Sequence, residues 1–370
     1  ENHIQLLKNN LSNEVWESGC EWVWQQIFPL SMDLTGKHSN QTLQTQKKWS
    51  SINTMDPAYD QYEKAREFYR THEYLAWIGE DESDEETIRS ASEEALDQSE
   101  NANSPANTDS ASAKISDQPM IYPMQQLMDY DFLMKHFYNV HTSTTADREL
   151  MNAKNLLSKD LTLEKEDAPQ ILIYHTHSQE SYKNSKKDEN VVAVGQKLTD
   201  LLTEKGWNVY HDTTVYDLAV GKLDRSRAYT YALEGINEIL ARYPSIQVVL
   251  DIHRDGVGED VYLKTEIGGQ PSARIMFFNG LSQTPEGPIS YLANPFREDN
   301  LAFSLKLQLK AEEYYPGFTR KIYLKGLRYN QHLRARSALV EVGAQTNTFE
   351  EACNAMMPLA ELLDMVLQGK

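Results

Sequence analysis

Three short segments of this chain read as the ends of buried strands and carry side chains able to bind a metal ion and activate water. They are residues 171–180 (Ile-Leu-Ile-Tyr-His-Thr-His-Ser-Gln-Glu), 248–253 (Val-Val-Leu-Asp-Ile-His) and 338–343 (Ala-Leu-Val-Glu-Val-Gly). The first offers a His-x-x-Glu pair, His177 and Glu180, and the second a distant His253. The third adds a carboxylate, Glu341, on an otherwise apolar strand. Two imidazoles and a carboxylate hold Zn2+ and leave its fourth position to water, the layout of a catalytic site. A further glutamate then takes a proton from that water. The expectation is a Zn2+ site of His177, Glu180 and His253 with Glu341 as general base.

Each assignment has a competitor. His175 rivals His177, and spacing does not separate them; His177 is preferred as ligand, with His175 behind it as a hydrogen-bond donor or a substrate contact. Glu189, at the expected start of a helix, is a second candidate carboxylate, ranked below Glu180 because a helix N-terminus already accounts for it. A buried, unpaired Glu341 would be costly, so the alternative to a general base is an ion pair with Arg334 or Arg336. Arg254 would either stabilise an oxyanion or pair with Asp255. Asn330, Gln331, His332 and Arg334 form a polar cluster that would bind a peptide or sugar rim, or simply be a solvated loop. Ser178 lacks a Gly-x-Ser-x-Gly elbow, and no phosphate-binding glycine loop is present.

The elements that must position these groups alternate. Strands are expected at 171–174, 207–211, 247–252 and 338–342, and helices at about 191–204, 225–243, 299–314 and 348–367. This is an α/β pattern, a mostly parallel or mixed sheet with helices on both faces. The candidate ligands then fall at carboxyl ends of strands, where such sheets place their chemistry. Residues 260–278 read as a hairpin around Gly268-Gly269, residues 321–324 as an edge strand, and residues 120–138 as a helix.

The chain has 370 residues, 40% of them hydrophobic, enough for one large domain with accessory parts. Its formal net charge of -19 argues against nucleic acid and anionic lipid as partners. Four regions are expected. Residues 1–78, with Trp16, Trp22, Trp24 and Phe28 near the start, form a helical N-terminal segment. Residues 79–119 are an acidic disordered linker, poor in large apolar side chains. Residues 120–168 are a helical lead-in and 169–370 the catalytic domain. Cys20 and Cys353 lie far apart and near none of the motifs, so neither a disulfide framework nor a thiolate metal site is indicated. No stretch is long and apolar enough to span a bilayer, and a start at Glu1 without methionine is expected of an ectodomain whose membrane anchor is absent from this chain.

The segments Tyr174-His-Thr-His-Ser-Gln-Glu-Ser-Tyr182, Asp251-Ile-His-Arg-Asp-Gly256, Tyr329-Asn-Gln-His-Leu333 and Leu339-Val-Glu-Val-Gly-Ala-Gln-Thr-Asn347 resemble the stage II sporulation protein P family. The likeness runs from about Met120 to the C-terminus. That family is similar in turn to zinc-dependent N-acetylmuramoyl-L-alanine amidases and zinc exopeptidases. The resemblance puts His177 and His253 among the ligands and Glu341 as the catalytic glutamate. It leaves the carboxylate open, since amidases favour Glu189 and His-x-x-Glu carboxypeptidases favour Glu180. It implies a peptidoglycan amidase, with endopeptidase activity on peptide crosslinks, acting in septal wall thinning and forespore engulfment. It also implies anchoring to the mother-cell membrane, facing the intermembrane space, alongside sporulation proteins D and M. The alternatives are a zinc carboxypeptidase on wall peptides and a peptidoglycan-binding scaffold with a structural metal.

Overall fold

The computed structural model describes residues 121–219, 222–223 and 225–370. The expected N-terminal segment, 1–78, and linker, 79–119, lie outside the described residues. The main sheet has seven strands: β1 (Tyr138–Val140), β2 (Ile171–Tyr174), β3 (Val209–His211), β4 (Val248–Asp255), β5 (Ile275–Gly280), β6 (Ile322–Lys325) and β7 (Arg336–Ala344). Their order is β1-β6-β5-β7-β4-β2-β3, and all neighbours are parallel except β5 and β7. The helices are α1 (Met124–Leu127), α2 (Tyr130–Phe137), α3 (Ala153–Ser158), α4 (Val191–Glu204), α5 (Arg225–Arg242), α6 (Arg297–Tyr314), α7 (Phe349–Asn354) and α8 (Met356–Leu367).

Both faces of the sheet are covered. On one, Ile171, Ile173, Leu250, Ile252, Val340 and Val342 pack with Val194 and Leu198 of α4, Leu301 and Leu305 of α6, and Leu359 and Leu363 of α8. On the other, Leu172, Tyr174 and Val249 pack with Ala232, Ile236 and Ile239 of α5. Each such side chain contributes about 1.5–3 kcal/mol on burial. This double cover explains why β2 reads Ile-Leu-Ile-Tyr without a polar position. Along β4 the strand period sends Leu250 and Ile252 to the α4 side, and Val249, Asp251 and His253 to the α5 side. The apolar contacts of α5 reach Val249 and stop short of Asp251. Charged groups begin there.

Local signals account for several boundaries. Asn190 caps α4 by accepting from the N–H groups of Val192 and Ala193, and Val191, Val194, Leu198 and Leu202 form its buried stripe. Asp129 caps α2 in the same way, so the helix expected over 120–138 breaks into α1 and α2 and gives way to edge strand β1. The strand expected at the edge near residue 322 therefore lies one place inward, between β1 and β5. The hairpin forms between 264–267 and 270–273, with Gly268 and Gly269 both at positive φ. Ile275–Gly280 leaves it and enters the main sheet. The last helix breaks between Asn354 and Met356.

One close approach fixes α4 to the sheet. His175 donates from Nδ1 to the Ile252 carbonyl at 2.9 Å, and its Nε2 lies 2.9 Å from His211 Nε2. The ring fills the space over Gly195, where a Cβ would lie 2.5 Å from His175 Cε1. Because His175 is held from both ends, Gly195→Ala should destabilise the fold by about 1–3 kcal/mol. Urea unfolding checks this: the midpoint should fall at unchanged slope. A variant as stable as the parent would show that this ring does not seat α4.

Candidate metal centre

β2 ends at Tyr174, and two buried aspartates shape the turn after it. Asp251 accepts from Thr176 N (2.9 Å) and Thr176 Oγ1 (2.6 Å). Asp217 accepts from Ser178 Oγ (2.7 Å) and Gln179 N (3.1 Å). The turn carries His177 and Glu180 over the end of β4. One donor atom from each of His177, Glu180 and His253 then lies within 4.8 Å of the others.

Glu180 sits between the two imidazoles, with Oε1 3.6 Å from His177 Nδ1 and Oε2 3.5 Å from His253 Nδ1. The two rings are 5.1 Å apart at 82°. The Arg254 backbone N–H donates to Glu180 Oε2 at 3.0 Å, and the Arg225 guanidinium is ion-paired to Oε1. Behind His253, Asp251 Oδ1 lies 2.8 Å from Nε2. The three side chains are only 9%, 6% and 3% exposed, so these charges act on one another with little screening.

Burial alone would push the Glu180 carboxyl up, but the facing imidazoles outweigh it and hold it well below the usual carboxylate range. Burial would likewise push His253 down, yet Asp251 and Glu180 hold it well above an ordinary imidazole. For Asp251, His253 and Thr176 outweigh burial and keep the carboxyl low. His177 is different: burial dominates and keeps the ring in its neutral, ligating form. Two carboxylates thus face one shared proton and one guanidinium. The donor set, two imidazoles and one carboxylate converging with a carboxylate behind one imidazole, fits Zn2+ with a position left for water.

Glu341 on β7 is the register neighbour of His253 and points to the same face. Its Oε2 is buried without a hydrogen-bond partner. Burial, with Asp255 and Glu180 nearby, pushes the carboxyl up to about 8 despite the opposing pull of His253 and Arg320. Beyond Glu341 the β4 register shifts, and Gly343 takes a positive φ.

The other candidates lie elsewhere. His175 turns to the α4 side and binds Ile252 and His211. Glu189 pairs with Lys186 at 2.9 Å, outside the trio, one residue before the cap of α4. Arg254 points to the opposite side of β4 from His253, and its guanidinium donates to the carbonyls of Ser181 (3.0 Å) and Asp255 (3.1 Å). Neither expectation for it, oxyanion contact or carboxylate pairing, describes that placement; Asp255 pairs instead with Arg320. Asn330 and Gln331 are buried braces, donating to the carbonyls of Tyr229 (2.8 Å) and Phe278 (2.8 Å). Arg334 and Arg336 bind the carbonyls of Ile246 (2.7 Å) and Leu161 (2.9 Å). Both arginines lie at the start of β7, away from Glu341. Backbone carbonyls thus take up the side chains of Asn330, Gln331 and Arg334.

Sequence reasoning puts Asp251 on the same face as His253 without giving it a role, and passes over Asp217, Arg225, Tyr229 and Arg320. Asp251 had a signal, its i, i+2 relation to His253. Arg225 and Tyr229, one turn apart on α5, had none, since only the fold brings the start of that helix to Glu180 and His177. The Tyr229 ring lies 5.5 Å from that of His177 at 75°.

The family Stage II sporulation protein P (SpoIIP) matches residues 46–364. Stage II sporulation protein P of Bacillus subtilis (strain 168) is 28% identical over 214 residues, covering 53% of this chain and 50% of that protein. The match thus spans about half the length of that relative. Among solved structures, the CwlD amidase from Clostridioides difficile in complex with the GerS lipoprotein is 16% identical, over 53% of this chain and 99% of that one, with a TM-score of 0.34. The N-acetylmuramoyl-L-alanine amidase AmiC2 of Nostoc punctiforme is 13% identical, over 56% and 98%, with a TM-score of 0.34. Among the described residues, no helix is long and apolar enough to cross a membrane.

Proposed function

The chain belongs to the Stage II sporulation protein P family, and from that premise we propose that it is a peptidoglycan hydrolase of sporulation that works with bound zinc. The observation that carries the chemistry is the convergence of His177, Glu180 and His253, with Glu341 in register beside His253. The finer reading is an N-acetylmuramoyl-L-alanine amidase that also cuts peptide crosslinks during septal thinning and engulfment. Its partners are sporulation proteins D and M, and its place is extracytoplasmic, at the mother-cell membrane. Residues 169–370 are the catalytic part. The lead-in shares their core through Leu133, Phe137, Met151 and Leu156.

His177, Glu180 and His253 would hold the zinc ion, which when bound polarises the scissile carbonyl and acidifies water. Asp251, 2.8 Å from His253 Nε2, stands behind that ring as its charge partner while Nδ1 faces Glu180. Glu341 would take the proton from the attacking water in its ionised form, which a cation bound beside it favours, and return it to the departing amine, the half of the role that the upward push of burial on its carboxyl suits. The dry, apolar surroundings of Ile252, Val340 and Val342 behind these groups keep their interactions strong.

Digestion of purified sacculi, with products identified by mass spectrometry, tests the reading. Stem peptides released from intact glycan, and lost on chelation and regained with zinc, are the expected result. Free amino acids would point to a carboxypeptidase, and binding without release to a scaffold. His177→Ala should lose both zinc and hydrolysis while keeping the parent circular dichroism spectrum. Glu341→Gln should keep its zinc and lose about 10²–10⁴ in rate. Full activity in Glu341→Gln would rule out Glu341 as the base.

A further inference from the structure

The two oxygens of Glu180 are held differently. Oε2 accepts from the Arg254 backbone N–H at 3.0 Å, a bond built into the end of β4. Oε1, the oxygen facing His177, is held by the Arg225 guanidinium. Arg225 is the first residue of α5, and its side chain is 35% exposed against 6% for Glu180. One contact is fixed by the backbone. The other belongs to a long, partly solvated side chain that can withdraw.

A divalent ion among His177, Glu180 and His253 would bring two positive charges against that guanidinium in surroundings that screen poorly. The strand-end N–H stays where it is, so the arginine is the group that yields. We propose that Arg225 is the resident counter-cation of the metal position, holding Glu180 in the metal-free protein, competing with the ion for that carboxylate and so lowering the site's affinity for zinc. The proposal rests on the zinc reading of the trio given above.

The chain around Arg225 agrees with such a role. Between β3 and α5 it is tied to the ligand-bearing turn through Asp217, which holds Ser178 and Gln179, and then through Arg225 itself. Arg225 and Tyr229 stand on one side of α5, and the Tyr229 ring edges that of His177. A guanidinium displaced from Glu180 therefore stays at the mouth of the loaded site, still carried by the first turn of α5. The opposite role is also well defined. An outer partner that merely orients a ligand strengthens metal binding, and its removal weakens binding by about 10–100-fold.

The sign of one measurement separates the two. Zinc is titrated into the metal-free chain against a chromophoric chelator, in the parent, Arg225→Met, Arg225→Lys and His177→Ala. Arg225→Met keeps most of the stem and loses the charge. It should bind zinc tighter by on the order of tenfold, with Arg225→Lys near the parent. Without zinc its melting temperature should fall below the parent's, because Glu180 loses its partner. Zinc should then raise that temperature by more than it does in the parent. Unchanged or weaker affinity in Arg225→Met overturns the proposal, the weaker result making Arg225 an orienting partner of Glu180. If His177→Ala binds zinc as tightly as the parent, the trio is not the zinc site, and that failure is distinct from a wrong sign in Arg225→Met.

Discussion

Everything at the carboxyl end of this sheet depends on the alternation of charge Asp251, His253, Glu180, Arg225, the first three buried and the arginine partly solvated. Any one of the three buried groups ionised alone in such surroundings would cost several kcal/mol, more than a helix cap or a surface ion pair returns. Arranged in sequence, each lies against an opposite charge: Asp251 is 2.8 Å from His253, and His253 is 3.5 Å from Glu180. The arrangement leaves the His253 proton and the Arg225 guanidinium as the positive charge that balances two carboxylates. A divalent cation is the natural replacement for both. Polar hydrogen bonds from Thr176 and the Arg254 N–H hold the carboxylates in place whichever cation is present.

The antiparallel seam between β5 and β7 extends this logic to Glu341. In a wholly parallel sheet, all strand starts would lie at the edge away from the ligands. Here β5 and β6 run against β7 and β4, so they begin where β4 and β7 end. Arg274 and Arg320, just ahead of β5 and β6, come to the edge that carries the candidate ligands for that reason. Arg320 pairs with Asp255, and Arg274 donates to the carbonyls of Gly317 (3.1 Å) and Thr319 (3.0 Å), fixing the turn that presents Arg320. Arg320 thus occupies Asp255, and Glu341 Oε2 is left buried without a hydrogen-bond partner, near the Asp255 charge that helps push its carboxyl up. It is the carboxyl here on which a proton is most readily kept.

The fold was legible wherever one segment carried its own signal. The apolar run of β2, the stripe of α4 and the Gly268-Gly269 turn each state their structure locally. The errors came where a local pattern was overruled from a distance. Residues 138–140 continue a helix-like run but pair with β6, and 275–280 follow a hairpin but are drawn into the sheet by β7. Asn330, Gln331 and Arg334 look like a binding rim in sequence because carbonyl braces and ligand contacts use the same residue types. Only their partners, the carbonyls of Tyr229, Phe278 and Ile246, distinguish the two uses.

The trio's geometry separates the two candidate carboxylates by a cause that composition cannot express. Glu180 and Glu189 are both acidic residues between β2 and α4, and each stands near a basic partner. Glu180 is pulled inward because its backbone carbonyl accepts from the N–H of Val191 at 3.0 Å, pinning the turn to the start of α4 while its side chain hangs over β4. Glu189 sits just outside that pin. Its carboxylate is taken by Lys186 through side chain and backbone, both at 2.9 Å. On the zinc reading, the preference for Glu180 over Glu189 follows from where one backbone hydrogen bond closes the loop, with Glu180 inside that closure and Glu189 outside it.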